Sequence, residues 1–123
     1  MARQDAAVAF LPLPESVLAP GHTLVVPRRH TVGIMDTELD DLSVTLDLVR
    51  RVARAMRQAL GATGVNVLNA SGPGSGQGVP HLHFHVVPRW PDDDETSLPW
   101  PPQPSRHTVV GDPHALLTAA LAA

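Results

Sequence analysis

From residue 38 to residue 60 apolar side chains return at steps of three and four: Leu39, Leu42, Leu46, Val49, Ala53, Met56 and Leu60. That spacing lines one face of an α-helix, so the pattern predicts a helix over 38–60 with this stripe turned to a core. Both ends carry matching signals. Thr37 is the expected N-cap, and Glu38, Asp40 and Asp41 sit where the helix dipole favours negative charge. Arg50, Arg51, Arg54 and Arg57 lie toward the other end, and Gly61 is a natural stop. The arginines read as a solvated face matched to the dipole, not as a phosphate or membrane patch.

Around this helix the pattern shortens to strands. Val8–Phe10 and Thr23–Val26 are β-prone, the second ended by Pro27, and Gly64–Leu68 forms a third. Pro12, Pro14, Pro20 and Gly21 punctuate the stretch between the first two as turns. Asn69–Gly78 is a Gly/Ser loop, and Val79–Pro88 is predicted as a fourth strand. Residues 91–106 hold too many prolines for regular structure, and the acidic run Asp92–Glu95 reads as a solvated turn. A last helix is predicted over Pro113–Ala122, with Asp112 as N-cap and Pro113 at the first helical position. Strands on both sides of one long helix, joined by short spacers, imply an α+β fold with a mostly antiparallel sheet.

Composition narrows the class. A chain of 123 residues with 43% hydrophobic residues can bury one core, and a net charge of −3 offers no basic face for nucleic acid. There is no cysteine, which excludes disulfides, thiolate zinc sites and cysteine nucleophiles. The opening MARQDAAVAFLPLP is too short and Pro-broken for a signal peptide, and no apolar run approaches about 20 residues. The expectation is a small soluble cytoplasmic domain with neither nucleic-acid nor membrane partners.

Seven histidines against 3% aromatic residues is an uneven pairing, and their placement is the informative part. In an extended Val79–Pro88, His81, His83 and His85 share one side while Leu82, Phe84 and Val86 take the other. Neighbouring rings then stand about 6.6 Å apart at the strand rise of about 3.3 Å per residue. Three titratable rings in register are a poor core filling and a good site. The upstream loop, Asn69 to Gly78, contains glycines whose backbone N–H groups can form an anion nest. Imidazole, with an ordinary pKa of about 6.5, supplies both nucleophile and acid near neutral pH.

His81-Leu-His83-Phe-His85-Val-Val resembles the signature of the histidine triad superfamily, in which apolar residues alternate with three histidines. Gly76-Gln77-Gly78-Val79, Pro88-Arg89, Pro20-Gly21-His22 through His30, the long helix and Gly64-Val-Asn-Val extend the likeness over roughly residues 7–90. The resemblance implies one domain over 1–123 with a sheet of about five strands, one long helix and a short C-terminal helix. Its core would span about 7–90, followed by an irregular Pro-rich tail and the short helix over 91–123.

It further implies a cofactor- and metal-free homodimer that acts on a purine nucleotide conjugate, a phosphoramidate or dinucleoside polyphosphate. His83 would attack the α-phosphorus to give a nucleotidyl-histidine, which splits one hard displacement into two easier ones. His85 would contact phosphate oxygens and protonate the leaving group. His81 and His22 would form the relay that fixes the tautomer of His83, while Asn69, Gln77, Gly78 and Val79 line the phosphate pocket. His30 is read as structural, and Trp90 as packing. Trp100, in the tail, is read as a hydrophobic anchor or a cover for the nucleotide.

Four departures from the family pattern bear on the nucleoside side. Gly78 stands where a Ser or Thr is usual, and Asn69 lies about one residue farther from the motif. Leu11-Pro-Leu-Pro-Glu15-Ser16 replaces the usual acidic or amide ribose partner, and few residues precede Ala7. Two other readings stay open: a nucleotide-binding regulator with weak turnover, and a zinc protein with three histidine ligands.

Overall fold

A computed structural model describes residues 2–3, 6–93 and 104–122. In chain order the elements are β1 (Ala2–Arg3), β2 (Ala7–Phe10), a single 3-10 turn (Pro14–Ser16), β3 (Thr23–Pro27), α1 (Leu39–Leu60), β4 (Gly64–Leu68), β5 (Phe84–Arg89) and α2 (Pro113–Ala122). The strands form one sheet in the order β1-β2-β3-β5-β4, and every pairing is antiparallel. β1 is only a two-residue edge, so four strands carry the sheet. The fold is α+β with one long helix and a short C-terminal one, as the pattern predicted.

Register sorts the side chains. Thr23 pairs with Val86, Leu24 with His85 and Val25 with Phe84, while Leu68 also pairs with His85. One face therefore carries Val25, Phe84 and Val86, joined by Ala7 and Ala9 of β2, all buried. Leu48, Val52 and Met56 of α1 complete this core. The opposite face carries Phe10, Leu24, Val26, Leu68 and His85.

The helix is found where predicted, but its buried arc differs. Leu39 and Leu46 are exposed, whereas Asp41, Thr45, Leu48, Val49, Val52, Ala55, Met56 and Leu60 are buried. The helix is apolar over a wide arc, and a three-four step fits two adjacent stripes equally well; packing against the sheet chose between them. Thr45 tolerates burial because its hydroxyl donates to the Asp41 carbonyl at 2.6 Å. Thr37 is not the N-cap: that position falls to Glu38, which makes no side-chain cap bond, and the Thr37 hydroxyl donates to Gly33 O at 2.8 Å. Gly61 closes the helix in the left-handed conformation (φ 66°), with its N–H on the Met56 carbonyl. Asp112 caps α2 as expected, its Oδ1 accepting the His114 N–H at 3.0 Å.

Gly21, at the turn into β3, lets this turn pack directly against Leu60 and Leu117. Its φ is +88°, and a Cβ there would stand 2.5 Å from Leu60 Cδ1 and 3.3 Å from Leu117 Cδ1. The end of α1, the start of α2 and the turn that carries His22 meet at this point. No described helix is long and apolar enough to cross a membrane.

Candidate active site

The fourth predicted strand is shorter than its pattern. β5 begins at Phe84, and Val79–His83 precede it as a bent segment. Pro80 has no N–H, and Pro27, beyond the last β3–β5 pair, has none either, so the ladder cannot extend. The His81 N–H instead turns back to Val79 O at 2.8 Å, and the Leu82 N–H donates to Thr31 O at 2.6 Å. Alternation nevertheless persists through the bend. Leu82 and Phe84 are buried, and His81, His83 and His85 are half-buried on the other side. The rings of His83 and His85 lie 5.1 Å apart, edge to face.

Hydrogen bonds fix the protons on these rings. The Leu18 N–H points at His22 Nδ1 (3.0 Å), so that nitrogen is bare and the His22 proton resides on Nε2. His22 Nε2–H then donates to His85 Nδ1 at 2.9 Å, which leaves the His85 proton on Nε2. His83 Nδ1–H donates to the backbone carbonyl of His81 at 2.8 Å, so His83 Nε2 carries the free lone pair. The side-chain amide of Asn69 donates to the His83 carbonyl at 3.0 Å, while its oxygen accepts from the Ser71 hydroxyl at 2.7 Å. The bare nitrogen of His83 and the proton-bearing nitrogen of His85 thus belong to adjacent rings on one face.

This wiring corrects the expected relay. His22 serves His85, not His83, and His81 holds His83 through its main chain, not its ring. The reason is geometric: His22 immediately precedes β3, and the register that pairs Thr23 with Val86 brings it beside His85. The His81 ring is occupied elsewhere, donating from Nε2 to Pro27 O at 3.1 Å, with His30 Nδ1 3.3 Å from its Nδ1. His30, expected to be merely structural, is an exposed neighbour of the motif.

Electrostatics keep the inner pair neutral. Burial, then His85, then the Arg89 guanidinium push the His22 pKa down to about 4. Burial and His83 lower that of His85. Arg89, on the flank of the histidine motif, is buried, with its Nε–H on Asn66 Oδ1 at 2.8 Å. Burial lowers its own pKa and the Asp93 carboxylate opposes this.

The glycine loop lies beside the histidines, with Gln77 turned into the loop. Gln77 does not face outward: its amide donates to Val32 O (2.6 Å) and Val79 O (3.0 Å), and its oxygen accepts the Gly72 N–H (2.7 Å). It staples the loop. Gly78 and Val79 are exposed, and among the described residues their amide N–H groups have no acceptor. A cavity of about 330 Å³ opens beside them, lined by Phe10, Leu24, Val26, Val79, His81 and His83. Its walls are apolar up to the imidazoles.

Among the described residues no three His, Asp or Glu side chains converge to hold a metal. Trp90 packs, as expected: it is buried, its indole N–H donates to Leu60 O at 2.9 Å, and it stacks on His107. Part of the acidic run is ordered and not simply solvated, since Asp92 pairs with His107 and Asp93 accepts the Trp90 N–H. Trp100, Asp94 and Glu95 lie outside the described residues.

Residues 2–92 match the family model of the HIT domain. An uncharacterized HIT-like protein of Saccharolobus solfataricus is 40% identical over 91 residues, covering 74% of this chain and 64% of its own length. The adenosine 5'-monophosphoramidase of Saccharomyces cerevisiae is 30% identical over 103 residues, covering 84% of this chain and 63% of its own. The chain thus spans slightly less than two thirds of these relatives. Among solved structures, a Zn-bound histidine triad family protein from Mycobacterium smegmatis superposes with a TM-score of 0.80 at 32% identity, covering 98% of this chain and 81% of that one.

Proposed function

The chain belongs to the HIT family, and on that premise we propose that it is a hydrolase or nucleotidyl transferase acting at the α-phosphorus of a purine nucleotide conjugate. The observation that carries the reading is the free Nε2 of His83, whose other nitrogen is tied to the His81 carbonyl beside an open apolar cavity. Two yeast relatives support the substrate class by their names, the monophosphoramidase above and a bis(5'-adenosyl)-triphosphatase 39% identical over 77 residues, covering 59% of this chain and 36% of its own.

In this reading the base sits in the cavity and the phosphate lies over the Gly78 and Val79 amides, where N–H groups stabilise the developing charge. His83 Nε2 attacks phosphorus, forming the N–P bond as the leaving-group bond breaks. The resulting imidazolium keeps its Nδ1–H on the His81 carbonyl, which offsets the charge. His85 donates a hydrogen bond from Nε2–H to the leaving group and the charge developing on it, and His22, donating to His85 Nδ1, ensures that the proton is on that nitrogen, while the proton the leaving group takes up comes from solvent. Water then attacks phosphorus, the N–P bond to His83 breaks, and the proton that the water loses passes to solvent. Asn69 holds the nucleophile by its main chain, and Gln77 holds the loop.

The same reading makes the chain a homodimer. β4 is an edge of the sheet, and Val67 on it is exposed at 45%, so its open ladder can pair with a second copy. Sedimentation of the wild type and of Val67→Lys checks this, with dissociation by the lysine expected.

The enzymatic test is AMP release from adenosine 5'-phosphoramidate and from diadenosine triphosphate. Wild type is expected to turn over and His83→Ala to lose about a thousandfold or more. Equal rates from both proteins would remove His83 from the reaction.

A further inference from the structure

Beyond the residues that match the family, the chain returns to the site. Residues 105–107 cross the turn ahead of β3, where the Ser105 N–H donates to the Leu18 carbonyl at 2.6 Å. Leu18 is the residue whose own N–H donates to His22 Nδ1. The crossing segment is anchored at the exit of β5. The Ser105 hydroxyl bonds the Asp93 carboxylate, whose other oxygen accepts the Trp90 N–H at 2.7 Å. The His107 ring stacks on Trp90 with centroids 4.0 Å apart and planes within 10°, and its Nδ1 meets both Asp92 oxygens at 2.7 and 2.9 Å. The His107 N–H also donates to the Ser105 hydroxyl at 3.1 Å.

These contacts connect end to end: Trp90, Asp92 and Asp93 hold Ser105 and His107, Ser105 holds Leu18, Leu18 holds His22, and His22 holds His85. The two tautomers of a neutral imidazole differ little by themselves, so the partner of one nitrogen decides where the proton sits. Displacing Leu18 by an ångström would remove the donor at His22 Nδ1 and leave both ring arrangements open, one of which puts the His85 proton on the wrong nitrogen. We propose that the 105–107 strap is a positioning element for catalysis, which fixes the tautomers of His22 and His85 by pinning Leu18 in the turn ahead of β3. This rests on the proposed role of His85 as the Nε2–H donor to the leaving group. Ser105, Asp93 and His107 are positioning residues and touch no substrate.

Ser105→Pro deletes the N–H that Leu18 accepts, and Ser105→Ala deletes only the hydroxyl ties. Both are compared with wild type in the full chain, by ¹⁵N NMR of labelled histidines and by steady-state turnover of adenosine 5'-phosphoramidate. Wild type is expected to show His22 with Nδ1 unprotonated and Nε2 protonated. Ser105→Pro is expected to show averaged nitrogens at His22 and a kcat lower by roughly fivefold, the worth of one hydrogen bond, with KM unchanged. Ser105→Ala should fall between them. Should Ser105→Pro not fold, His107→Ala, which removes the stack and the Asp92 tie, takes its place with the same expected direction. An unaltered His22 tautomer overturns the proposal, as does an altered tautomer with unaltered kcat. If wild type itself turns over nothing, the hydrolase reading and the catalytic half of this one fail together, while the spectra still decide whether the strap sets the tautomer.

Discussion

His22 Nε2 lies 2.9 Å from His85 Nδ1, although 63 positions separate the two residues. Both rings are needed neutral for this bond to run in the direction that leaves a proton on His85 Nε2, and burial of both favours the neutral forms.

That neutrality makes stability depend on pH. His22 is 1% exposed with a pKa of about 4, against about 6.5 unfolded. Between those values the unfolded chain binds the proton and the folded chain does not, so stability rises with pH. Acidification from about pH 6.5 toward 4 is expected to remove roughly 3 kcal/mol on account of His22, with His85 acting in the same direction. Urea titrations at stepped pH check the slope, and His22→Gln should flatten it.

Asn69 touches His83, the proposed nucleophile, through the His83 carbonyl. Asn69→Ala is expected to lower kcat about tenfold while KM changes little, since the loss is orientation and not binding. Steady-state kinetics with a nucleoside phosphoramidate separate the two parameters.

The His81 main chain and ring have different duties. His81→Phe keeps the carbonyl that holds His83 Nδ1–H and deletes only the bonds to Pro27 and His30. The expected fall in kcat is under about tenfold, far short of that for His83→Ala. A loss as large as that of His83→Ala would mean the ring takes part in the reaction.

Gly21 has neither the φ nor the space for a side chain. Gly21→Ala would place a methyl 2.5 Å from Leu60 Cδ1 in a left-handed backbone (φ +88°). A destabilisation of roughly 2–4 kcal/mol is expected by chemical denaturation. Because His22 follows directly, activity should fall before the fold is lost.

Much of this was legible in the chain before folding. Gly64–Leu68 and Pro113–Ala122 begin where their sequence signals stand, at Gly64 and at the Asp112–Pro113 cap, because Gly, Pro and capping residues act within a few bonds. The side each histidine takes was legible too, since alternation is a property of extended backbone and survives even where the ladder stops at Phe84.

Only tertiary structure decided the pairing of those rings. That His22 answers to His85 depends on the register of β3 against β5, that Gln77 turns inward depends on the distant Val32 carbonyl, and the free nitrogen of His83 depends on the bend that turns the His81 carbonyl onto its ring. The choice of buried arc on α1 was settled the same way, because periodicity gives a spacing but no partner. A residue type states which protons it can carry; its neighbours in space settle where each one sits.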